Sequence, residues 1–421
     1  MRKIAILGLG YVGLPIACQL AKRGFQVVGI DIIKEKINLI NQGISPINDE
    51  ILKKDIAELK GKILATTDAG MIEDCEVILI CVPTPIDEKY KPEFGPIISA
   101  CESILPRLHK GHIIILESTV SPGTCEEIML PILERLGLKA GNDFYLAHCP
   151  ERIDPGNKKY LLKDLPRVIG ALSKESLRLA SEFYRSFIDA EIVEVSSLKA
   201  AEASKIIENS FRDINIAFIN EIAKCFDRMG IDITEVIKGA ATKPFAFMPH
   251  YPGCGVGGHC ISVDPYYLIE KGSEMGFDHK FLKLAREINN SMPNYTISRL
   301  ISALNSVGRC VNGTKIAVLG VAYKPDIDDF RESPALKVIS GLKSLGADLS
   351  VYDPWLPKHS NVASLENALK CEVLVICTAH SKFKEIESSK LQNVKIIIDG
   401  RNCLNKKNIE SRGIIYMGVG R

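Results

Sequence analysis

The chain has 421 residues, enough for two or three domains with separate cores, and 46% hydrophobic with 25% charged residues excludes a disordered or fibrous chain. Lysine and arginine number 53 against 51 acidic residues, a net charge of +2, so bulk charge argues for no nucleic-acid partner. Apolar runs such as Val77 to Val82 and Ile113 to Leu116 are strand-sized and fall well short of the roughly 20 residues a membrane helix requires.

In chain order, Lys3-Ile4-Ala5-Ile6-Leu7-Gly8 reads as a buried strand. The chain passes into it without a signal-peptide pattern, so a cytoplasmic location is expected. Gly8-Leu9-Gly10-Tyr11-Val12-Gly13 then opens a helical pattern, and a second strand ends at Gly29-Ile30-Asp31. Cys75-Glu76-Val77-Ile78-Leu79-Ile80-Cys81 is a further buried strand. From Ala200 to about Gly230, Ile206, Ile207, Phe211, Ile214, Phe218, Ile222 and Phe226 recur at helical spacing without an internal proline or glycine, which predicts one long helix. It is expected to pack both sheets and to offer a surface for self-association, giving a homodimer.

The first half then recurs. Lys315-Ile316-Ala317-Val318-Leu319-Gly320 echoes Lys3 to Gly8, and Cys371 to Cys377 echoes Cys75 to Cys81, in the same order. Strands alternating with helical stretches in both halves predict βαβ crossovers. The expected fold is α/β: two doubly wound, Rossmann-like parallel-sheet domains (1–199 and 301–421) joined by a central helical domain (200–300).

Three constellations carry chemistry. Gly8, Gly10 and Gly13 between strand and helix have the spacing of a dinucleotide-binding turn, in which Tyr11 and Val12 also lie, and Asp31 stands where a carboxylate meets the ribose hydroxyls. An acid there repels a 2′-phosphate, which favours NAD over NADP. A plain structural turn is the bland alternative. The corresponding turn of the second half, Gly320-Val321-Ala322-Tyr323-Lys324-Pro325, has lost two glycines and gained a cation, and suits a different phosphate ligand.

The second constellation is Gly253-Cys254-Gly255-Val256-Gly257-Gly258-His259-Cys260, a bare loop ending in a thiol, which makes Cys260 the candidate nucleophile. The 13 cysteines form no C-x-x-C pair and mostly read as small buried side chains. Metal binding by Cys254, His259 and Cys260 is discounted, because neighbouring ligands on one loop need a second cluster. Third, Lys205 and Asn209 are four apart on the long helix and can bond one oxygen atom or an ordered water, with a solvated helix face as the equal alternative.

Taken together these residues resemble the UDP-glucose/GDP-mannose dehydrogenase family, whose members oxidise the C6 alcohol of a nucleotide sugar. The likeness covers nearly the whole chain and also rests on Val82-Pro83-Thr84-Pro85, Glu117-Ser118-Thr119-Val120, Pro150-Glu151-Arg152, Asp264 after Cys260, and Tyr323-Lys324 with Arg331-Glu332-Ser333-Pro334. The resemblance implies an NAD domain, a central dimer-forming domain and a domain holding UDP. It implies Cys260 as nucleophile, with Lys205, Asn209 and Asp264 managing the alcohol proton, the oxyanion and a water, and with Glu151 and Thr119 as supporting groups. Thr84, Thr119 and Arg331 would join the glycine turn in holding NAD. Arg152, Tyr251, Gly257, Tyr323 and Lys324 would join Glu151, Lys205 and Asn209 in holding the UDP-sugar, and Arg401 lies after a strand where such ligands bind.

Within the family, the segments 150–157 and 241–249 are most similar to members acting on UDP-N-acetylglucosamine, with UDP-N-acetylmannosamine and UDP-glucose as the competing substrates and polysaccharide precursors as the expected products. Cys254 and Ser262 depart from the prolines usual in those relatives. Two other classes stay open on the residues alone: a two-electron NAD hydroxyacid dehydrogenase, which needs no nucleophilic thiol, and a non-catalytic nucleotide sensor.

Overall fold

The structure, a computed structural model, describes residues 2–153 and 162–421; Asp154-Pro155-Gly156-Asn157, part of the substrate resemblance, lies outside the described residues. The chain divides into two compact units, Met1–Glu208 with Tyr266–Phe277, and Asn209–Pro265 with Asp278–Arg421.

The first unit is built on an eight-stranded sheet of β1 (Lys3–Leu7), β2 (Gln26–Ile30), β3 (Ile63–Thr66), β4 (Val77–Ile80), β5 (Ile113–Leu116), β6 (Tyr145–His148), β7 (Arg167–Ala171) and β8 (Ile192–Glu194), in the order β3-β2-β1-β4-β5-β6-β7-β8. Side chains alternate between faces along a strand, and here both faces are covered. Ile4 and Ile6 of β1 enter one apolar layer with Leu14 and Leu20, while Ala5 and Leu7 enter the other with Ile97 and Ile104. Burial on both sides is why these strands read as unbroken apolar runs. β1 to β6 are parallel, as expected, but β7 runs antiparallel to β6 and β8 follows β7 in parallel.

The second unit carries β9 (Lys315–Leu319), β10 (Asp348–Tyr352), β11 (Val373–Ile376), β12 (Ile396–Asp399) and β13 (Ile415–Gly418), all parallel, in the order β10-β9-β11-β12-β13. The echoed segments occupy matching places, since β1 pairs with β4 as β9 pairs with β11. Strand order reverses beside β1 and beside β9, the positions where doubly wound sheets open a crevice at their carboxyl ends.

The predicted long helix spans Leu198–Met229. The apolar stripe is buried in part: Ile206 is 1% exposed and Ile222 and Phe226 pack against an apolar cluster, but polar residues are buried as well. Asp213, Ala217, Asn220 and Ala223 are buried, whereas Phe211 is 49% and Phe218 56% exposed. Polar groups tolerate that burial because partners meet them. Asp213 Oδ1 accepts from Arg286 Nη1 at 2.6 Å and Asn289 Nδ2 at 2.8 Å, and Asn220 Nδ2 donates to Asn289 Oδ1 at 2.9 Å. Among the described residues no helix is long and apolar enough to cross a membrane.

Candidate functional site

In the first unit the glycine turn has the geometry its spacing predicts. Gly8 adopts φ +94°, and a Cβ on it would lie 2.6 Å from the Cys81 carbonyl oxygen; a Cβ on Gly13 would lie 1.9 Å from the Gly8 carbonyl oxygen. Gly10 is the opposite case, with nothing within 4 Å of its would-be Cβ, so the backbone there is bare toward a ligand. The helix Gly13–Lys22 starts at Val12 with no side chain capping it, the kind of helix start that suits an anion.

Asp31, just past β2, accepts from Leu9 N at 2.9 Å, Ile33 N at 3.0 Å and Lys36 Nζ at 2.7 Å. Burial alone would raise its carboxyl, but the Lys36 ammonium and these backbone donors outweigh it and hold the acid below its usual range, hence ionised. A bare turn, an uncapped helix start and an ionised acid together fit a dinucleotide with free ribose hydroxyls. Tyr11 and Val12 are half-buried in the same turn. Thr84 follows β4, where its carbonyl accepts from the Tyr267 hydroxyl at 2.5 Å; Thr119 follows β5, and Glu151 and Arg152 follow β6. The sheet thus brings these residues to one edge.

Two buried residues there carry no predicted role. Arg167, at the start of β7, is 0% exposed and donates from Nη1 to Glu151 Oε2 at 2.9 Å and from Nη2 to Glu117 Oε2. Tyr184 donates its hydroxyl to Glu117 Oε1. Arg152 is engaged elsewhere, pairing through Nη2 with Glu208 at 2.6 Å. Lys205, half-buried, lies in the early turns of the long helix.

In the second unit Cys260 is exposed in a turn that leads into the helix Asp264–Glu274. The Cys260 carbonyl accepts from Asp264 N at 2.8 Å, and Asn209 Nδ2 donates to Asp264 Oδ2 at 2.5 Å, so three predicted residues form one bonded group. The loop before them is braced at both ends. Gly253 N donates to Asn220 Oδ1 at 2.9 Å, Cys254 N donates to the Gly400 carbonyl at 2.9 Å, and Gly258 N donates to the Arg331 carbonyl at 3.1 Å.

Side chains fill the space the glycines leave. A Cβ on Gly257 would lie 2.9 Å from the Tyr323 Cβ, and one on Gly258, at φ +89°, 2.6 Å from the Tyr323 ring; Arg401 Nη1 reaches 2.6 Å from the would-be Cβ of Gly253. Gly258→Ala is therefore expected to lower activity by about tenfold or more through loss of the loop's geometry, with a melting point several degrees lower, measured by kinetics and thermal unfolding. Tyr251 is exposed at 62%.

A second thiol competes for notice. A hydrogen bond with Cys377 and the Arg401 guanidinium draw Cys254 down to about 6, against burial. Yet Cys254 is 0% exposed inside the apolar cluster between the β9–β11 strands and Ala335, so no ligand reaches it; the accessible loop thiol is Cys260.

The second-unit turn differs from the first in the groups it carries. Val321 N and Ala322 N both donate to Asp353 Oδ2, at 2.6 and 2.9 Å, and His380 Nε2 sits 3.1 Å from the same oxygen. Val321 N thus repeats the Leu9 N to Asp31 bond of the first unit, and Ala322 N adds a second donor to the same carboxylate. The turn carries Tyr323, which packs against the 253–260 loop, and the half-buried Lys324, with Arg331 paired to Asp329 at 2.6 Å and Arg401 Nε donating to the Cys377 carbonyl at 2.8 Å.

Comparison with known proteins agrees with this division of labour. Family models described as the NAD binding, central and UDP binding domains of the UDP-glucose/GDP-mannose dehydrogenase family match residues 2–188, 199–291 and 317–406. The chain is 37% identical over 402 residues to the UDP-N-acetyl-D-glucosamine 6-dehydrogenase of Pseudomonas aeruginosa, covering 93% of this chain and 94% of that one. It is 38% identical over 429 residues to the UDP-N-acetyl-D-mannosamine dehydrogenase of Pyrococcus horikoshii, covering 100% and 99%. A solved structure of a UDP-N-acetyl-mannosamine dehydrogenase from P. horikoshii superposes with a TM-score of 0.93 at 37% identity, covering 100% and 99%.

Proposed function

The chain belongs to the UDP-glucose/GDP-mannose dehydrogenase family, an NAD-dependent oxidoreductase family, and from that premise we propose that it oxidises the C6 alcohol of a UDP-N-acetylhexosamine, UDP-N-acetylglucosamine in the first reading, to the uronate. The observation that carries the reading is the bonded group of Asn209, Asp264 and an exposed Cys260 at the end of a glycine-bared loop. NAD, for which Gly8, Gly10, Gly13 and Asp31 form the cradle, supplies a hydride acceptor for each of two oxidations. Thr84, Thr119 and Arg331 complete its assigned contacts.

Lys205 and Asp264, with an ordered water, take the alcohol proton in the first oxidation. The Cys260 thiolate then adds to the aldehyde carbon, forming a C–S bond and a thiohemiacetal whose oxyanion Lys205 and Asn209 stabilise. Loss of a second hydride leaves a thioester on Cys260. Water attacks it, Asp264 or Glu151 accepts the water proton, and the C–S bond breaks to return the thiolate and release the carboxylate. Arg152, Tyr251, Gly257, Tyr323, Lys324 and Arg401 are assigned to the UDP-sugar, Arg401 and Lys324 as cations toward the diphosphate. A three-part division near residues 200 and 300, a cytoplasmic location, no nucleic-acid partner and a polysaccharide precursor as product belong to the same reading.

UDP-N-acetylmannosamine is the second reading, favoured by the full-length likeness to the P. horikoshii enzyme. The test is NADH counted per molecule of UDP-N-acetylglucosamine, UDP-N-acetylmannosamine and UDP-glucose. Two NADH per sugar with preference for the first supports the proposal; preference for the second exchanges the epimer; one NADH per sugar contradicts the four-electron reaction.

Asp31→Asn is expected to raise the KM for NAD about 10- to 100-fold, the loss of charge-assisted ribose bonds, and to narrow the preference over NADP; initial rates with both cofactors check it. A homodimer through the long helix is proposed from its exposed apolar stripe, in which Ile207, Phe211, Phe218 and Met229 recur at one-face spacing, 49% to 64% exposed. Sedimentation is expected to give a dimer, and Phe211→Glu with Phe218→Glu a monomer.

A further inference from the structure

β7 is the strand at which its sheet reverses. The pairs Ala147–Ala171 and His148–Gly170 fix an antiparallel register with β6, and continuing it past the end of β6 sets Arg167 opposite Glu151. A parallel strand would have delivered its first residue to the amino edge of the sheet. The reversed one delivers Arg167 to the carboxyl edge, where Glu117 and Glu151 leave β5 and β6.

The guanidinium is used on every side. Besides Glu151 and Glu117, Nη2 reaches the Cys149 carbonyl at 3.4 Å and Nε reaches Cys149 Sγ at 3.3 Å, and the Tyr184 ring centroid lies 5.4 Å from the guanidinium carbon. Glu151 is held as tightly. Its Oε1 accepts from Arg152 N at 2.6 Å and from Ile153 N, and its Oε2 accepts from Arg167 at 2.9 Å. A carboxylate offers about four lone-pair sites; among the described residues two donors meet Oε1 and one meets Oε2, so Oε2 is the oxygen with a direction for a further donor.

We propose that Arg167 is a positioning residue for Glu151, braced in turn by Glu117 and Tyr184, so that the Glu151 carboxylate presents a single fixed acceptor site to a sugar hydroxyl or the hydrolytic water. The inference rests on the reading that Glu151 acts at the sugar. It goes beyond that reading by giving the buried cluster a role, in which one cation is shared between two carboxylates.

Sharing makes the device sensitive to pH. Glu117 is faced by Arg167 from β7, by Tyr184 from the helix Lys174–Arg185, by Glu151 and Cys149 from the segment after β6, and by Cys81 from the segment after β4. Burial, opposed by Arg167 and reinforced by Glu151, pushes the Glu117 carboxyl up to about 7. Below that pH the guanidinium answers Glu151 alone; above it the charge is divided between two acids.

The test is a double-mutant cycle of Arg167→Lys and Glu151→Gln, with kcat and KM measured on UDP-N-acetylglucosamine and UDP-N-acetylmannosamine and folding checked by thermal unfolding. Arg167→Lys is expected to lower kcat ~10- to 100-fold while KM for sugar and NAD moves less than about threefold, and the double variant to be no slower than Glu151→Gln alone. Wild-type kcat in Arg167→Lys, or losses that multiply in the double variant, overturns the positioning role while leaving Glu151 its own. Wild-type kcat in Glu151→Gln removes Glu151 from the reaction and the inference with it. Should Arg167→Lys not fold, Glu117→Gln decides: its kcat relative to wild type is expected to climb as pH passes neutrality, and a constant ratio between about pH 5.5 and 8.5 overturns the proposal.

Discussion

Cys260→Ser is expected to cut uronate formation by at least about 10³-fold, because removing the nucleophile removes the covalent route and leaves only binding and electrostatic assistance. The thiol is exposed, so the same change should alter stability by no more than about 0.5 kcal/mol. Chemistry and folding are therefore separable in one variant, read by product analysis and denaturant unfolding. Uronate formed at the wild-type rate by a folded Cys260→Ser protein would show that the second oxidation needs no thiohemiacetal or thioester on Cys260, and would contradict the covalent route.

Arg167→Met is expected to be the most damaging substitution for stability. It strips the cation from Glu117 and Glu151, which are 0% and 6% exposed, and breaking a buried pair by removing one partner costs about 3–5 kcal/mol. The pH dependence has a definite sign. The folded-state pKa of Glu117 is raised from 4.5 to about 7, so its contribution is fully present below about 4.5 and is lost as pH rises through about 7. Without the guanidinium the folded state favours protonation of Glu117 still more, so the deficit of Arg167→Met should shrink on acidification. Urea unfolding of both proteins at about pH 5.5 and pH 8 measures it; an equal deficit at the two values would mean the acids are not what destabilises the variant.

These two residues also mark how far the sequence could be read. The exposed Cys260 on its bare loop was legible because the pattern is local: the glycines lie within seven positions of the thiol, and Asp264 follows one turn later. The glycine turn and Asp31 were legible for the same reason, since a strand, a turn and an acid inside thirty residues determine one another. Arg167 was not. A cation at the head of an apolar strand reads as a solvated end, and an all-parallel sheet would have put it at the wrong edge; only the reversal of β7 carries it to Glu151.

The long helix divides in the same way. Its extent followed from periodicity, but its inward face only in part. Asp213 and Asn220 are buried against Arg286 and Asn289, partners 73 and 69 positions away that no local pattern announces, while Phe211 and Phe218 are left on the surface. The loss of two glycines from the second-unit turn was legible, but not the Asp353 carboxylate folded onto Val321 N and Ala322 N from 32 and 31 positions away.

The covalent intermediate itself gives the most direct measurement. Enzyme, UDP-sugar and NAD are mixed for a single turnover, quenched in acid at a series of times and mapped by peptide mass spectrometry. A uronyl group on the Cys260 peptide, appearing with the second NADH and lost as the uronate is released, is the predicted result. Formation of two NADH per sugar while Cys260 stays unmodified at every time point, or with the acyl group on another residue, would contradict it.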